Sequence, residues 1–229
     1  MIKSLKANKQ SLWGLTYPLI AFSSVTCFLL IVRIIISGSY KYWFLPWNLL
    51  LAWVPLVASI FLCNLLARLK WTSWQAVVTS LIWLFFLPNT FYLMTDFVHL
   101  RHTSEVNILF DVVILGMFSF AGFLLGFLSL LLVHRQLDKR FKPSLSNNLV
   151  LFVILLSSFA IYLGRYLRWN SWDVVTNPFG IAYDVVDRLA SPTDFPTTFV
   201  TTAMFFVITT SFYFCTLWLI RLIKELPKP

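Results

Sequence analysis

Four polar side chains recur at regular spacing inside an otherwise apolar stretch, Leu87-Pro88-Asn89-Thr90-Phe91-Tyr92-Leu93-Met94-Thr95-Asp96-Phe97-Val98-His99-Leu100. Asn89, Tyr92, Asp96 and His99 stand three, four and three residues apart, which sets all four on one stripe of a helix. A carboxylate and an imidazole one turn apart are the groups that general acid–base chemistry uses, so Asp96 and His99 are the candidate catalytic pair. Asn89 and Tyr92 continue the same face and are candidate binding residues. Lipid contact gives such a stripe no advantage, so it is expected to face a bundle interior or a wet cleft. The alternative is that Asp96 ends the helix in the aqueous layer and His99 is a solvated loop residue.

A second cluster is Gly164-Arg165-Tyr166-Leu167-Arg168-Trp169-Asn170-Ser171-Trp172-Asp173. Arg165 and Arg168 offer planar forks that match a carboxylate or phosphate, and Trp169, Asn170 and Asp173 complete a candidate binding set. The competing reading is that the arginines snorkel to headgroups while the tryptophans anchor a helix end. Asn48 joins the binding set by its depth in a neighbouring apolar run. Arg33 and Asp111 lie inside two others and read as candidate structural ion pairs, Arg33 with Asp111 or Arg165 with Asp96.

The spacing Asp96-x-x-His99-x-x-His102 invites a metal reading. It supplies two ligands on one helical turn, would need a third such as Asp111, and cannot draw on His134 on the other side of the membrane. No metal is assigned, and the residues leave the cofactor unknown. Cys27, Cys63 and Cys215 lie in three different apolar runs without redox or metal spacing and read as packing residues. A nucleotide loop, a serine nucleophile elbow and a zincin helix are all missing from the chain.

The elements that must position these residues follow from composition. The 229 residues are 59% hydrophobic and only 12% charged, with a mean hydropathy of +0.80, which excludes an ordinary soluble domain. Apolar runs long enough to span a bilayer are expected at about residues 13–37, 44–67, 74–98, 106–133, 147–168 and 198–220. They lack the alternation of barrel strands, so the expected fold is all-α, a polytopic bundle of about six spanning helices forming one domain over residues 13–220. A basic N-terminus at 1–12 and a basic tail at 221–229 flank it. The first run is read as an uncleaved helix, because its apolar core is too long for a signal peptide and Ser37-Gly38-Ser39 is a poor cleavage site.

Lys3, Lys6, Lys9, Arg68, Lys70, Arg135, Lys139, Arg140, Lys142, Arg221, Lys224 and Lys228 fall on one side of a six-span arrangement. That side is therefore expected to be cytoplasmic and to hold both termini. Asp96, Glu105, Asp173, Asp184, Asp187 and Asp194 fall on the other. The net charge of +9 is thus divided by a membrane, which points to anionic lipid headgroups as partners and not to nucleic acid. No soluble protein partner and no oligomeric state is indicated. Trp13, Trp71, Trp74 and Trp218 near inner span ends, and Trp43, Trp47, Trp169 and Trp172 near outer ones, suit the two headgroup belts. Pro88 is expected to kink the third span near Leu84. Gly122 and Gly126, with Ser119 on the same face, allow close helix packing, within the bundle or in a dimer. Asn177-Pro178 opens a short helix on the outer surface, with Ile181, Val185 and Leu189 on one face and Asp184, Asp187 and Arg188 elsewhere.

The strings Trp47-Asn48 to Pro55, Leu87-Pro88-Asn89 through Tyr92, Thr95-Asp96 and His99, and Gly164-Arg165 through Arg168-Trp169-Asn170-Ser171-Trp172-Asp173 resemble the signature blocks of domain-of-unknown-function family 1361 over about residues 15–222. These are bacterial multi-pass membrane proteins. The resemblance implies a bacterial inner or plasma membrane location and supplies no activity.

The expected function is recognition of a lipid headgroup or other anionic amphiphile in a polar pocket on the extracytoplasmic side. It would be built from Asn48, Asn89, Tyr92, Asp96, His99, Arg165, Arg168 and Asp173. The arginines would bind the anion, and Asp96 with His99 would orient or deprotonate a polar group, as transfer or hydrolysis at a headgroup requires. Two rivals stand beside it. A small-solute or ion transporter needs a polar path across the inner half, hinted at by Asn64, Thr202, Thr209, Tyr213 and Thr216. A non-catalytic assembly or scaffold subunit would use fully paired charges to fix helix packing.

Overall fold

The protein is described here from a computed structural model, in which Gly14, residues 16–102 and residues 108–225 are placed. Lys3, Lys6, Lys9, Trp13, Glu105 and Lys228, and the side chains of His102 and Lys224, lie outside the described residues. Every regular element among those described is helical: α1 (Thr16–Ser37), α2 (Leu45–Leu66), α3 (Trp74–Phe86), α4 (Pro88–Tyr92), a 3₁₀ segment (Leu93–His102), α5 (Ile108–Asp138), α6 (Pro143–Tyr166), α7 (Asp173–Thr176), α8 (Pro178–Ala190) and α9 (Pro196–Glu225). Among the described residues six segments are long and apolar enough to cross a membrane: α1, α2, the composite Trp74–Leu100, α5, α6 and most of α9. The chain is an all-α, multi-pass membrane protein. It divides into two units, residues 1–143 and 144–229.

In the first unit α2 packs against α3 and α5, and α1 against α5. Leu45, Leu49, Ala52, Leu56, Ile60 and Cys63 form one seam of α2, spaced three or four apart, and Ile114, Leu115, Phe118, Ala121, Leu125 and Leu132 face them from α5. Lipid tails are as apolar as these side chains, so the seam is held by close packing and by interhelical hydrogen bonds. One such set joins three helices. The Trp83 indole donates to Ser129 Oγ at 2.7 Å, and the Ser129 hydroxyl donates to the Pro55 carbonyl at 3.1 Å, all three groups buried.

The third span is broken. Pro88 lacks an N–H and cannot continue the ladder, so α3 stops, α4 restarts at Pro88, and the backbone tightens to 3₁₀ from Leu93. In hydrocarbon the freed carbonyls need other donors. Asn89 Nδ2 donates to the Phe86 carbonyl at 3.0 Å, Thr90 Oγ1 to Leu87 at 2.7 Å and Thr95 Oγ1 to Tyr92 at 2.7 Å. Ser119 Oγ reaches across from α5 to the Leu93 carbonyl at 3.1 Å. The glycines of α5 make that approach possible. A Cβ on Gly122 would run into the Thr90 carbonyl oxygen, and one on Gly126 would meet Thr90 Oγ1 at 2.5 Å and the Phe91 ring at 2.8 Å. The small-residue face is therefore filled from within the chain.

In the second unit α6 and α9 are the long helices, and the link between them folds into α7 and α8. Asn177 caps α8, its side-chain oxygen accepting from Gly180 N–H at 3.1 Å, and Pro178 follows at the first helical position. The faces of α8 differ from the sequence expectation. Ile181, Asp184, Val185 and Arg188 share the less exposed side, while Leu189 is exposed along with Phe179, Tyr183 and Val186. Hydrogen bonds to Asp184, described below, draw the charged residues inward.

The glycine contacts generate a test. Gly122→Ala should lower the unfolding midpoint in detergent by the equivalent of about 1–3 kcal/mol, because the Thr90 backbone cannot yield without losing its own bonds. Gly116→Ala, where the nearest atom is Phe97 Cζ at 4.0 Å, should leave the midpoint unchanged.

Candidate functional site

The 3₁₀ segment changes which residues align. With three residues per turn, Leu93, Asp96 and His99 eclipse one another, in place of the continuous α-helical stripe from Asn89 to His99. Asp96 is buried, and Asn48 at the start of α2 donates from Nδ2 to Asp96 Oδ2 at 3.2 Å. His99 is half-buried with its ring 5.1 Å from that of Phe44. Asn89 and Tyr92 are half-buried as well, and both take part in carrying the break: Asn89 through its amide, Tyr92 through the carbonyl that Thr95 satisfies.

Beside this group lies a second, larger one. Arg33, in the last turns of α1, is wholly buried. Its Nε donates to Asp111 Oδ1 of α5 at 3.0 Å, and Nη1 donates to the Ser39 carbonyl at 3.0 Å. Gly38 makes the second bond possible: at φ +65° it ends α1 with a left-handed residue and turns Ser39 back over the helix end. The Tyr42 hydroxyl donates to Asp111 Oδ2 at 3.3 Å, and its ring lies 4.7 Å from Arg33 Cζ and 5.3 Å from Lys41 Nζ. Burial first, and then the Asp111 carboxylate, push the Tyr42 phenol up to about 12 against an opposing pull from Arg33, so it stays a protonated donor. Tyr42 in turn contacts Phe44 at 6.5 Å between rings, and Phe44 contacts His99. A chain of aromatic contacts thus joins the Arg33–Asp111 group to the Asn48–Asp96 group.

The charges in the larger group do not balance. Arg33 and Lys41 bring two cations, and Asp111 is its carboxylate among the described residues. Arg33 Nη2 and Lys41 Nζ are shielded from solvent, and neither has a hydrogen-bond partner among the described residues. Cation–π contact with Tyr42 gives about 0.5–2 kcal/mol, less than an unpaired buried ammonium loses by desolvation. Lys41, Tyr42 and Ser39 escaped the sequence reading as site residues, because residues 38–43 were treated as a link. A lysine beside a tyrosine in a tight connection between two spans was the available signal.

In the second unit, Arg165 is half-buried in the last turn of α6, and Arg168 is exposed at φ +62°. A non-glycine residue there carries about 1–3 kcal/mol of backbone strain. Trp169 Nε1 donates to Asp184 Oδ2 of α8 at 2.7 Å. Asn170 and Asp173 close on each other: Asp173 Oδ2 accepts from the Asn170 backbone N–H at 2.7 Å and from its Nδ2 at 3.2 Å, and Oδ1 accepts from Thr176 Oγ1 at 3.0 Å. Those hydrogen bonds, the backbone one foremost, hold the Asp173 carboxyl below the usual carboxylate range. The Asn170–Asp173 pair is therefore the staple of a turn. Among the described residues no three His, Cys, Asp or Glu side chains gather as a metal ligand set, and Asp111, the third ligand that an Asp96–His99 site would need, is held by Arg33 and Tyr42.

Three outcomes follow from this geometry. Asp111→Asn should destabilise by about 3–5 kcal/mol in a detergent unfolding titration, because it leaves the wholly buried Arg33 guanidinium without its carboxylate. The double variant Arg33→Met/Asp111→Leu should regain part of the loss. Arg168→Gly should raise stability by about 1 kcal/mol by relieving the left-handed arginine.

A family model described as "Protein of unknown function (DUF1361)" matches residues 47–216, from Trp47 beside the Asn48–Asp96 pair to the middle of α9. Neither the curated proteins nor the solved structures contain a match. With most of its length matched, including the broken third span and the Arg165–Asp173 string, the chain belongs to domain-of-unknown-function family 1361.

Proposed function

We propose that this membrane protein recognises the anionic headgroup of a lipid or other amphiphile at the group formed by Arg33, Lys41, Tyr42 and Asp111. Asn48, Asp96 and His99 stand next along the aromatic chain. The observation that carries this reading is the surplus of shielded positive charge among the described residues, with Arg33 Nη2 and Lys41 Nζ both unpartnered there. A phosphate or carboxylate bound there would turn two desolvated donors into charge-assisted hydrogen bonds. Arg33, braced through Nε and Nη1, would present Nη2 at a defined angle, while Lys41 would supply a mobile point charge. Asp96 and His99, one 3₁₀ turn apart, would orient polar groups of the same ligand. Recognition is the activity that the charge imbalance supports; transfer or hydrolysis would be added by Asp96 and His99 acting on a headgroup already held.

The same reading places the protein in a bacterial cell membrane with both termini cytoplasmic and this group on the outer side. It is supported by the exposed Arg68, Lys70, Lys139, Arg140 and Lys142 in the links between α2 and α3 and between α5 and α6, with Arg221 near the end of α9. Within the first unit, Lys41, Asp96 and Asp111 lie at the ends of their spans opposite the α2–α3 and α5–α6 links, and Arg33 is paired with Asp111 there.

Lys41→Gln tests the proposal without breaking an ion pair. In nanodiscs, the full-length protein should retain phosphatidylglycerol in preference to phosphatidylcholine under native mass spectrometry. Lys41→Gln should weaken that retention about tenfold, equal to about 1.4 kcal/mol, with the fold intact. Inorganic phosphate competing at millimolar level would point to a soluble anion instead of a lipid. Unchanged lipid retention in Lys41→Gln, together with destabilisation by Glu105→Gln, would identify Glu105 as the counter-charge and overturn the site.

A further inference from the structure

The helix α8 is amphipathic in the opposite sense to a helix resting on a water-exposed surface. Its inward side carries the charged Asp184 and Arg188 beside Ile181 and Val185, and those charges are occupied. Asp184 accepts from Trp169 Nε1 at 2.7 Å and from Arg188 Nη1 at 3.1 Å, Arg188 Nη1 also reaches Asp187 at 2.8 Å, and the guanidinium stacks 4.5 Å from the Phe195 ring. Its outward side is apolar and aromatic. Phe179, Tyr183 and Val186, four and three residues apart, are 87%, 72% and 64% exposed. A contiguous stripe of this kind marks an interaction surface.

What covers the stripe follows from where the chain holds it. Ala190 at the end of α8 and Pro196 at the start of the spanning helix α9 are joined by Ser191–Phe195, whose fully extended reach is about 20 Å. The Asp194 N–H to Ser191 carbonyl bond, at 3.1 Å, folds that link and shortens it further. The helix is thus tethered at the membrane boundary, where an apolar face with an aromatic edge is suited to the layer between headgroups and acyl chains. The exposed stripe carries no lysine or arginine, so its attraction does not depend on lipid charge.

We propose that α8 lies along the membrane surface with Phe179, Tyr183 and Val186 sunk into the interfacial layer of the leaflet that α9 enters. The inward Trp169–Asp184–Arg188 network sets the roll of the helix so that this face, and not the charged one, meets lipid. The surface is independent of the anion group proposed above, and either can fail alone.

Spin labels decide it. With Cys27, Cys63 and Cys215 replaced, the full-length protein is reconstituted in phosphatidylcholine vesicles and labelled singly at Phe179→Cys, Val186→Cys or Thr193→Cys. Labels at 179 and 186 should collide more with dissolved oxygen than with a water-soluble nickel chelate, and the label at 193 should show the reverse. Adding phosphatidylglycerol should leave the pattern unchanged. Equal access of the nickel chelate to all three labels would show a water-facing helix, and protection of 179 and 186 from both reagents would show a protein partner or a second copy on the stripe. Either result overturns the proposal.

Discussion

A backbone carbonyl stranded in hydrocarbon has no water to turn to, and the third span of this protein strands several. Pro88 interrupts the ladder, and everything around it answers that interruption. Asn89, Thr90 and Thr95 supply donors from the segment itself, Ser119 supplies one from the neighbouring helix, and Gly122 and Gly126 let the segment come close enough. An unbroken α-helix would have carried Asp96 and His99 onward at 3.6 residues per turn. The tighter segment instead aligns them over the buried Leu93, with Asp96 under the amide of Asn48. The peculiar wording of this stretch is in large part the repair of a broken helix.

The end of the unit to which that segment leads is built around charge. Arg33 and Asp111 are buried together, and a pair of this kind adds little net stability once desolvation is counted. Its weight lies in position. Asp111 anchors Arg33 and Tyr42 at once, Ser39 fixes the guanidinium from the other side, and Tyr42 takes both cations on its ring. Among the described residues the arrangement leaves positive charge in surplus where burial tolerates it least. A scaffold that used charge only to lock helices together would be expected to balance it, and the proposed recognition of an anion rests on this imbalance.

Parts of the site divide between structural and surface duty. Asn170 and Asp173, which read as binding residues in the sequence, close a turn on each other, and Asn89 caps a carbonyl. Trp169 does more than anchor a helix end, since its indole holds α8 through Asp184. Arg168 keeps a left-handed backbone that glycine would adopt more easily, and its side chain remains exposed.

Composition and hydropathy by themselves determined that this is an all-α, multi-pass membrane protein with six helices long enough to span, because a bilayer demands long apolar runs with internally satisfied backbones. The family blocks were legible too, as were Pro88 as a break and Asn177-Pro178 as a helix start, since each acts through its own backbone. Tertiary structure alone decided which acid meets which base, that Lys41 and Tyr42 belong with Arg33, that the third span tightens to 3₁₀, and which face of α8 turns outward. Those outcomes depend on side chains from separate helices meeting at distances of about 3 Å, and spacing along a single chain carries no record of what lies across from it.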